Sequence, residues 1–284
     1  MHRTHRSSRR HERGFTLVEA VLVIVITGIL ASVVARFIVG PVQAYLATRS
    51  RAALVDQADL ALRRIGRDLR IALPNSVRVA AGGLALEMIP TSGGARYRTE
   101  GAGALQFGTP DSSFDVIGPP LTLGPSQQLV FYNLGTGITG SDAYAPNGSS
   151  AEQASSNRRT ASNAAGPATT INLVSLAGLP VGAFAPPYRV LAVGSPVSYR
   201  CDMTAGTLTR YQGYGYVASQ PNPPTGGTSA LLATGVSGCS FGVDGTLVAA
   251  QSALVNLALT LSTTTSAGVE SVTLQHAVHV DNLP

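Results

Sequence analysis

The sequence predicts an α+β protein with one long N-terminal helix, at 15–73, and a C-terminal body of short antiparallel strands; half of the helix must bury against this body or against copies of itself. A long apolar run begins at Phe15, and an amphipathic helical pattern follows it as far as Leu73. Beyond that point short apolar segments alternate with turn residues. Glycine and proline are plentiful, at 31 and 17 residues, and only 12% of the 284 residues are charged. This composition favours short strands joined by turns over a helical bundle.

The net charge of +5 is concentrated at the N-terminus. The first fourteen residues hold five arginines and one glutamate, whereas the rest of the chain holds 15 arginines and 14 acidic residues. The basic character therefore belongs to this leader segment, and we expect no nucleic-acid-binding surface on the body.

The apolar run at 15–39 is long enough to cross a membrane. Residues 20–35 carry no charge, and these sixteen residues span about 24 Å as a helix, close to the thickness of a bilayer core. An ordinary secretory signal has a shorter apolar core with its cleavage site on the far side. Here a basic segment ends at Gly14, directly before the run.

Glu19 is an acidic residue inside this apolar run. A carboxylate in lipid is costly unless it is paired, so it marks a functional position. The alternative is that Glu19 lies at the level of the lipid headgroups and has no role.

The junction resembles the class III leader junction of type IV prepilins and pseudopilins, on the residues Arg13-Gly14-Phe15-Thr16-Leu17-Val18-Glu19. The resemblance implies that residues 1–14 are a cytoplasmic leader peptide, that a membrane peptidase cuts between Gly14 and Phe15, and that Phe15 is then N-methylated. It implies no enzymatic activity of the chain itself. The implied partners are the prepilin peptidase, the pilus assembly machinery of the inner membrane, and other major and minor pilin subunits.

Phe15 and Glu19 are the predicted assembly residues. A new N-terminal amine and a carboxylate each need a partner in lipid, and the amine of a neighbouring subunit supplies one for Glu19. The positive-inside rule keeps the leader cytoplasmic and places everything after Val39 outside. We therefore expect a single-pass inner-membrane protein with a periplasmic or extracellular domain at 74–284, which later reaches the pilus or cell surface.

The second part of the predicted helix, at 41–73, is amphipathic. Gly40 and Pro41 are expected to kink or loosen the helix, and Pro74 to end it after Leu73. The apolar stripe consists of Leu54, Ala58, Leu62, Ile65, Leu69 and Leu73. Polar residues lie largely off this stripe, including the i,i+4 pairs Asp59/Arg63 and Arg64/Asp68. We interpret the arginines here as a solvated face or an inter-subunit contact.

The body is predicted to contain antiparallel strands at 85–89, 127–133, 170–176, 188–193, 197–201, 207–211, 254–261 and 269–280. The stretch 135–168, rich in Ser, Gly, Ala and Asn, is predicted to be a long exposed loop, and 221–227 a second loop.

Several body segments resemble minor pilins of the mannose-sensitive haemagglutinin (MSHA) pilus system. They are the helix-to-body junction at 67–79, the short segments 199–201, 208–211 and 239–241, and the ending at 275–284. This resemblance implies an α+β fold in which the long N-terminal helix packs on a C-terminal antiparallel β-sheet body, and a role in pilus initiation or tip assembly. Two alternatives stay open: a minor pseudopilin of a type II secretion system, and an adhesive or ligand-binding tip that uses the long loops.

Cys201 and Cys239 are the two cysteines of the chain. In an exported domain such a pair is more often a disulfide than a metal site, and it would stabilise the fold by about 4 kcal/mol. Two buried free thiols are the alternative.

The other candidate sites do not assemble into a catalytic centre. His276 and His279 are three residues apart on a predicted strand, so they point to opposite faces and are not expected to share a metal. The glycines at 135–140 precede no helix and indicate a loop, not a phosphate cradle. Tyr211, Tyr214 and Tyr216 are expected to form a packed aromatic cluster, with a surface for a sugar or a partner protein as the alternative. We expect no catalytic residues, no cofactor and no bound metal.

Overall fold

The computed structural model describes residues 14–80, 82–244, 252–265 and 268–284. The predicted leader lies outside the described residues except for Gly14. The fold is α+β, as predicted: a long N-terminal helix packs on an antiparallel β-sheet body.

The described residues form two α-helices, one short 3-10 helix at Val181–Ala183, and sixteen strands. The helices are α1 (Leu17–Arg70) and α2 (Ser150–Ala154). The strands are β1 (Arg78–Val79), β2 (Ala85–Met88), β3 (Thr91–Tyr97), β4 (Ser113–Ile117), β5 (Leu121–Leu123), β6 (Gln128–Phe131), β7 (Arg158–Ala161), β8 (Gly166–Ala168), β9 (Thr170–Val174), β10 (Arg189–Val193), β11 (Val197–Asp202), β12 (Thr207–Gln212), β13 (Thr228–Thr234), β14 (Val236–Val243), β15 (Ser252–Thr265) and β16 (Gly268–Asp281).

Helix α1 begins at Leu17, and Thr16 is its N-cap because its hydroxyl accepts a hydrogen bond from the Glu19 amide at 3.3 Å. The helix continues through Pro41 as one element. It ends at Arg70, three residues before the predicted end at Leu73. The reason is that the chain joins the sheet here: the Leu73 amide donates to the Ile89 carbonyl at 2.7 Å.

Two sheets pack on the second part of α1. One has the strand order β1-β2-β11-β12-β13 and the other β14-β15-β16. They adjoin where the Phe241 amide donates to the Gly83 carbonyl at 2.7 Å. The predicted apolar stripe is buried against them at Leu54, Ala58, Leu62, Ile65 and Leu69. This face of α1 and both sheets form one hydrophobic core.

A closed barrel is inserted in the chain between β2 and β11. Its strand order is β10-β3-β4-β9-β7-β6, and it has a core of its own, in which Tyr97, Phe114 and Phe131 are buried. A smaller cluster that includes Leu73, Ile89 and Tyr144 lies between the two cores. The body therefore holds a helix-packed sheet unit and an inserted barrel.

The prediction of a long exposed loop at 135–168 is wrong. The segment contains α2, β7 and β8, and it buries Tyr144 and Arg159. Its polar residues make internal hydrogen bonds, since Ser149 and Glu152 form a capping box on α2 and Arg159 donates to five backbone carbonyls. The predicted loop at 221–227 is confirmed and connects β12 to β13.

Candidate functional site

The N-terminal part of α1 projects from the body with its apolar side chains exposed. Phe15 is 74% exposed, and residues 17–46 are all exposed. This segment is long and apolar enough to cross a membrane, and none of its apolar window is buried against the body. Side chains of this kind need cover from lipid or from another protein.

Gly14, Phe15 and Glu19 lie together at the tip of this helix. Glu19 is in the first turn of α1, three residues after the cap residue Thr16. Its side chain is exposed, and no cation among the described residues pairs with its carboxylate. The negative charge on this apolar surface is therefore open to a partner from outside the chain.

The helix enters the body near Arg51. The Arg51 guanidinium lies 2.8 Å from the Glu270 carboxylate on β16, and Leu54 is the first buried residue of the stripe. The strands β15 and β16 form a long antiparallel hairpin that follows α1 from this point, and His276 and Val278 of β16 pack beside Gly66.

The polar face of the body-packed part of α1 has both predicted i,i+4 pairs. Arg63 pairs with Asp59 at 2.6 Å and Arg64 with Asp68 at 3.4 Å. The arginines at 63, 64, 67 and 70 are exposed, which is compatible with a solvated face and with an inter-subunit contact. Asp68 also has partners in the body, because it is half-buried and accepts hydrogen bonds from the Tyr199 hydroxyl at 2.6 Å and Arg210 Nε at 2.9 Å. Burial and this carboxylate raise the pKa of Tyr199.

Cys201 and Cys239 form a disulfide, as predicted. The bond joins β11 of the five-stranded sheet to β14 of the three-stranded sheet, over a sequence separation of 38 residues. It therefore fixes the junction of the two sheets that hold α1.

Buried polar groups connect the sheet unit to the barrel. The Glu87 carboxylate is fully buried, lies 2.6 Å from Arg78 Nε, and accepts a hydrogen bond from the Tyr214 hydroxyl at 2.7 Å. The Arg78 guanidinium in turn stacks on the Tyr144 ring at 3.6 Å. Sequence reasoning missed this network because its members are far apart in the chain.

The three tyrosines do not behave as the predicted aromatic cluster. The Tyr214 hydroxyl is bound to Glu87, and the Tyr216 hydroxyl donates to the Gly194 carbonyl at 2.7 Å. The Arg158 guanidinium stacks on the Tyr216 ring, 3.8 Å from its centroid. Burial raises the pKa of Tyr216 to about 12. Tyr214 and Tyr216 therefore have packing roles, each with its own polar partner.

The two body histidines lie on opposite faces of β16, as predicted. His276 is half-buried beside Gly66, and His279 is exposed. The part of the chain that the structure describes contains no group of three or more His, Cys, Asp or Glu side chains that could hold a metal. In the glycine-rich stretch the Gly137 amide donates to the Asp142 carboxylate at 2.8 Å, so this loop closes on itself.

Comparison with known proteins gives one match. Residues 9–35 match the family described as the prokaryotic N-terminal methylation motif. No curated protein and no solved structure matches the chain. The matched residues contain Gly14, Phe15, Glu19 and most of the exposed apolar segment of α1. The motif supports a type IV pilin-like or pseudopilin protein, and the one membrane-capable helix among the described residues fits membrane anchoring.

Proposed function

We propose that the chain is a minor pilin that a prepilin peptidase processes between Gly14 and Phe15. The leader 1–14 is cytoplasmic, 15–39 cross the inner membrane, and the domain at 74–284 is periplasmic until the subunit joins a filament. The observation that carries this proposal is the methylation motif at the start of an exposed apolar helix whose only acidic residue before Asp56 is Glu19.

Assembly follows from the chemistry of the helix tip. Cleavage creates a positive amine on Phe15, and Glu19 supplies a negative charge within the same apolar surface. In lipid, or in a bundle of apolar helices, each charge is costly until it meets an opposite one. The Phe15 amine of one subunit and Glu19 of the next satisfy both and fix the register between neighbouring helices.

More specifically, we propose a role in initiation or tip assembly of an MSHA-type pilus, similar to that of MshO, a minor pilin of the MSHA system. It rests on the body segments that resemble that system. The inserted barrel supports a terminal position, because a subunit at the end of a filament has neighbours on one side only and accommodates extra bulk. A minor pseudopilin of a type II secretion system is the alternative, and the genes next to this one distinguish them.

A binding role at the filament tip is the second candidate. The barrel favours it, because the barrel has its own core and α1 packs on the sheets outside it. Deletion of 135–168 would not test this role, since the segment supplies β7 to the barrel. Surface substitutions on the barrel are the suitable test.

The mass of the N-terminal peptide, from protein isolated from its native envelope, tests the processing. We expect a peptide that begins at Phe15 and carries one extra methyl group. A start at Met1, or at a site beyond the apolar run, contradicts the minor pilin proposal. A Gly14→Ala variant of the same chain gives the matched control for uncleaved protein.

A further inference from the structure

We propose that the barrel carries a docking groove for an acidic, partly aliphatic peptide segment of a partner protein, bound between Arg96 and Arg189. The inference concerns the barrel alone and is independent of how the N-terminus is processed. It rests on an arginine pair for which the described residues supply no salt bridge, and on the composition of the groove beside it.

Arg96 on β3 and Arg189 on β10 are directly opposite each other in an antiparallel strand pair. Both side chains are exposed on the outer face of the barrel, and neither has a carboxylate partner among the described residues. The neighbouring acid is already engaged, because Asp115 faces Arg98 at 3.9 Å and accepts a hydrogen bond from Thr170 at 2.7 Å. Like charges in this position destabilise a sheet, so the pair opposes the stability of the free barrel.

A groove of about 480 Å³ adjoins the two arginines. Its other lining residues are aliphatic or lack a side chain, namely Gly94, Ala95, Ile117, Pro119, Pro120 and Leu191. A Cβ at position 94 would lie 2.7 Å from Leu191 Cδ2, so glycine here leaves room for the Leu191 side chain on the wall of the groove. Ile117 is opposite Arg96 on the next strand and is 48% exposed, so the apolar surface and the charges are continuous.

This composition identifies the kind of occupant. Guanidinium groups bind carboxylates through two parallel hydrogen bonds, so two of them suit one or two acidic side chains. The aliphatic walls suit an Ile, Leu or Val next to the acid. None of the described lining residues is aromatic, so the groove lacks the ring on which a sugar stacks, and an inorganic anion would leave the apolar walls uncovered.

The test is the titration of the full-length chain, in detergent micelles and labelled with ¹⁵N-arginine, with an acetylated peptide that has an Ile-Asp-Glu core. We expect saturable shifts of the Nε–H signals of Arg96 and Arg189, assigned with single variants. The matched Ile-Asn-Gln peptide should leave these signals in place. In the variant Arg96→Gln/Arg189→Gln the affinity for the acidic peptide should fall about tenfold or more.

Arg49→Gln/Arg67→Gln is the matched control, because it also removes two positive charges, from exposed positions on α1 away from the barrel, and should bind the peptide like the natural chain. Equal responses to the acidic and amide peptides overturn the proposal. So do shifts spread evenly over the exposed arginines, and so does an equal response of Arg96 and Arg189 to acetate, sulfate or a uronic acid oligosaccharide at the same concentration. The minor pilin proposal is tested separately, by the mass of the N-terminal peptide, and none of these binding results changes that mass.

Discussion

The Asp68 carboxylate on α1 accepts a hydrogen bond of 2.6 Å from the Tyr199 hydroxyl on β11. Arg210 on β12 binds the same carboxylate at 2.9 Å. The two contacts connect the helix to the middle of the five-stranded sheet through a charged group that is largely withdrawn from water. The hydrogen bond and the ion pair of Asp68 therefore fix the position of the sheet along α1, together with the packing of the apolar stripe.

Substitution Asp68→Asn should destabilise the body, because Arg210 loses its counter-charge in a half-buried site. We expect a loss of about 1–3 kcal/mol in the free energy of unfolding. Urea unfolding of the full-length chain in detergent, followed by circular dichroism, measures it. Asp59→Asn is the control, since Asp59 pairs with Arg63 on the exposed face and should cost less than about 1 kcal/mol. Equal losses would show that Asp68 is an ordinary surface charge.

Removal of the disulfide should lower stability by about 4 kcal/mol, because Cys201–Cys239 closes a loop of 38 residues and joins two sheets. The variant Cys201→Ser/Cys239→Ser and the natural chain under reducing conditions should show similar losses in urea unfolding. Peptide mapping without reduction checks the bond itself. Unchanged stability under both conditions would contradict a structural role for this bond.

The pH dependence of stability should contain a contribution from Tyr216. Its pKa is raised from 10.0 to about 12 in the folded chain, so the folded state holds its proton more tightly than the unfolded state. This contribution is fully present below pH 10.0 and is lost as the pH rises through about 12. Unfolding free energies from pH 9 to about 12 measure it, and Tyr216→Phe should reduce the slope. An identical slope in the variant would show that Tyr216 titrates normally.

Glu19→Gln should reduce incorporation of the subunit into filaments without changing the stability of the body, because residue 19 is exposed and remote from both cores. Quantification of the subunit in sheared filaments, against its amount in the membrane fraction, gives the effect. The N-terminal peptide of the variant shows whether cleavage still occurs. Normal incorporation would remove the proposed pairing of Glu19 with a neighbouring amine.

Arg96→Gln should raise the free energy of unfolding by about 0.2–1 kcal/mol, since it relieves the like-charge pair with Arg189. The comparison is Arg96→Lys, which keeps the charge and should leave stability nearly unchanged. Thermal unfolding of the three proteins at low ionic strength provides the measurement. A loss of stability in Arg96→Gln would indicate that Arg96 supports the barrel structurally, and would weaken the case for a docking groove.

The sequence predicted those parts of the fold that depend on local patterns. The spacing of apolar residues revealed the apolar stripe of α1 and eight strands, among them β2, β11 and the hairpin β15–β16. The other eight strands were missed, namely β1, β3, β4, β5, β7, β8, β13 and β14. Among them β3 contains Gly93 and Gly94, and the barrel closes through pairings between distant segments. The composition of 135–168 predicted an exposed loop, yet Arg159 organises this stretch by donating to carbonyls that only the folded chain brings together.

The candidate site divides in the same way. Gly14, Phe15 and Glu19 form a linear motif that is visible in the sequence. The disulfide was predicted because the chain has two cysteines, both in the expected exported domain. Asp68, Glu87 and the pair Arg96/Arg189 depend on register between strands and on helix position, and no single segment reveals them.

The barrel leaves the sheet unit after β2 and returns to it at β11, and these two strands are hydrogen-bonded neighbours. The ends of the inserted segment therefore meet at almost one point, so a segment of different length and shape could replace it while α1, the disulfide and the helix tip stay as they are. Under the proposed function, substitutions within 91–193 would change the surface that the barrel presents and leave Gly14, Phe15 and Glu19 at the helix tip as they are.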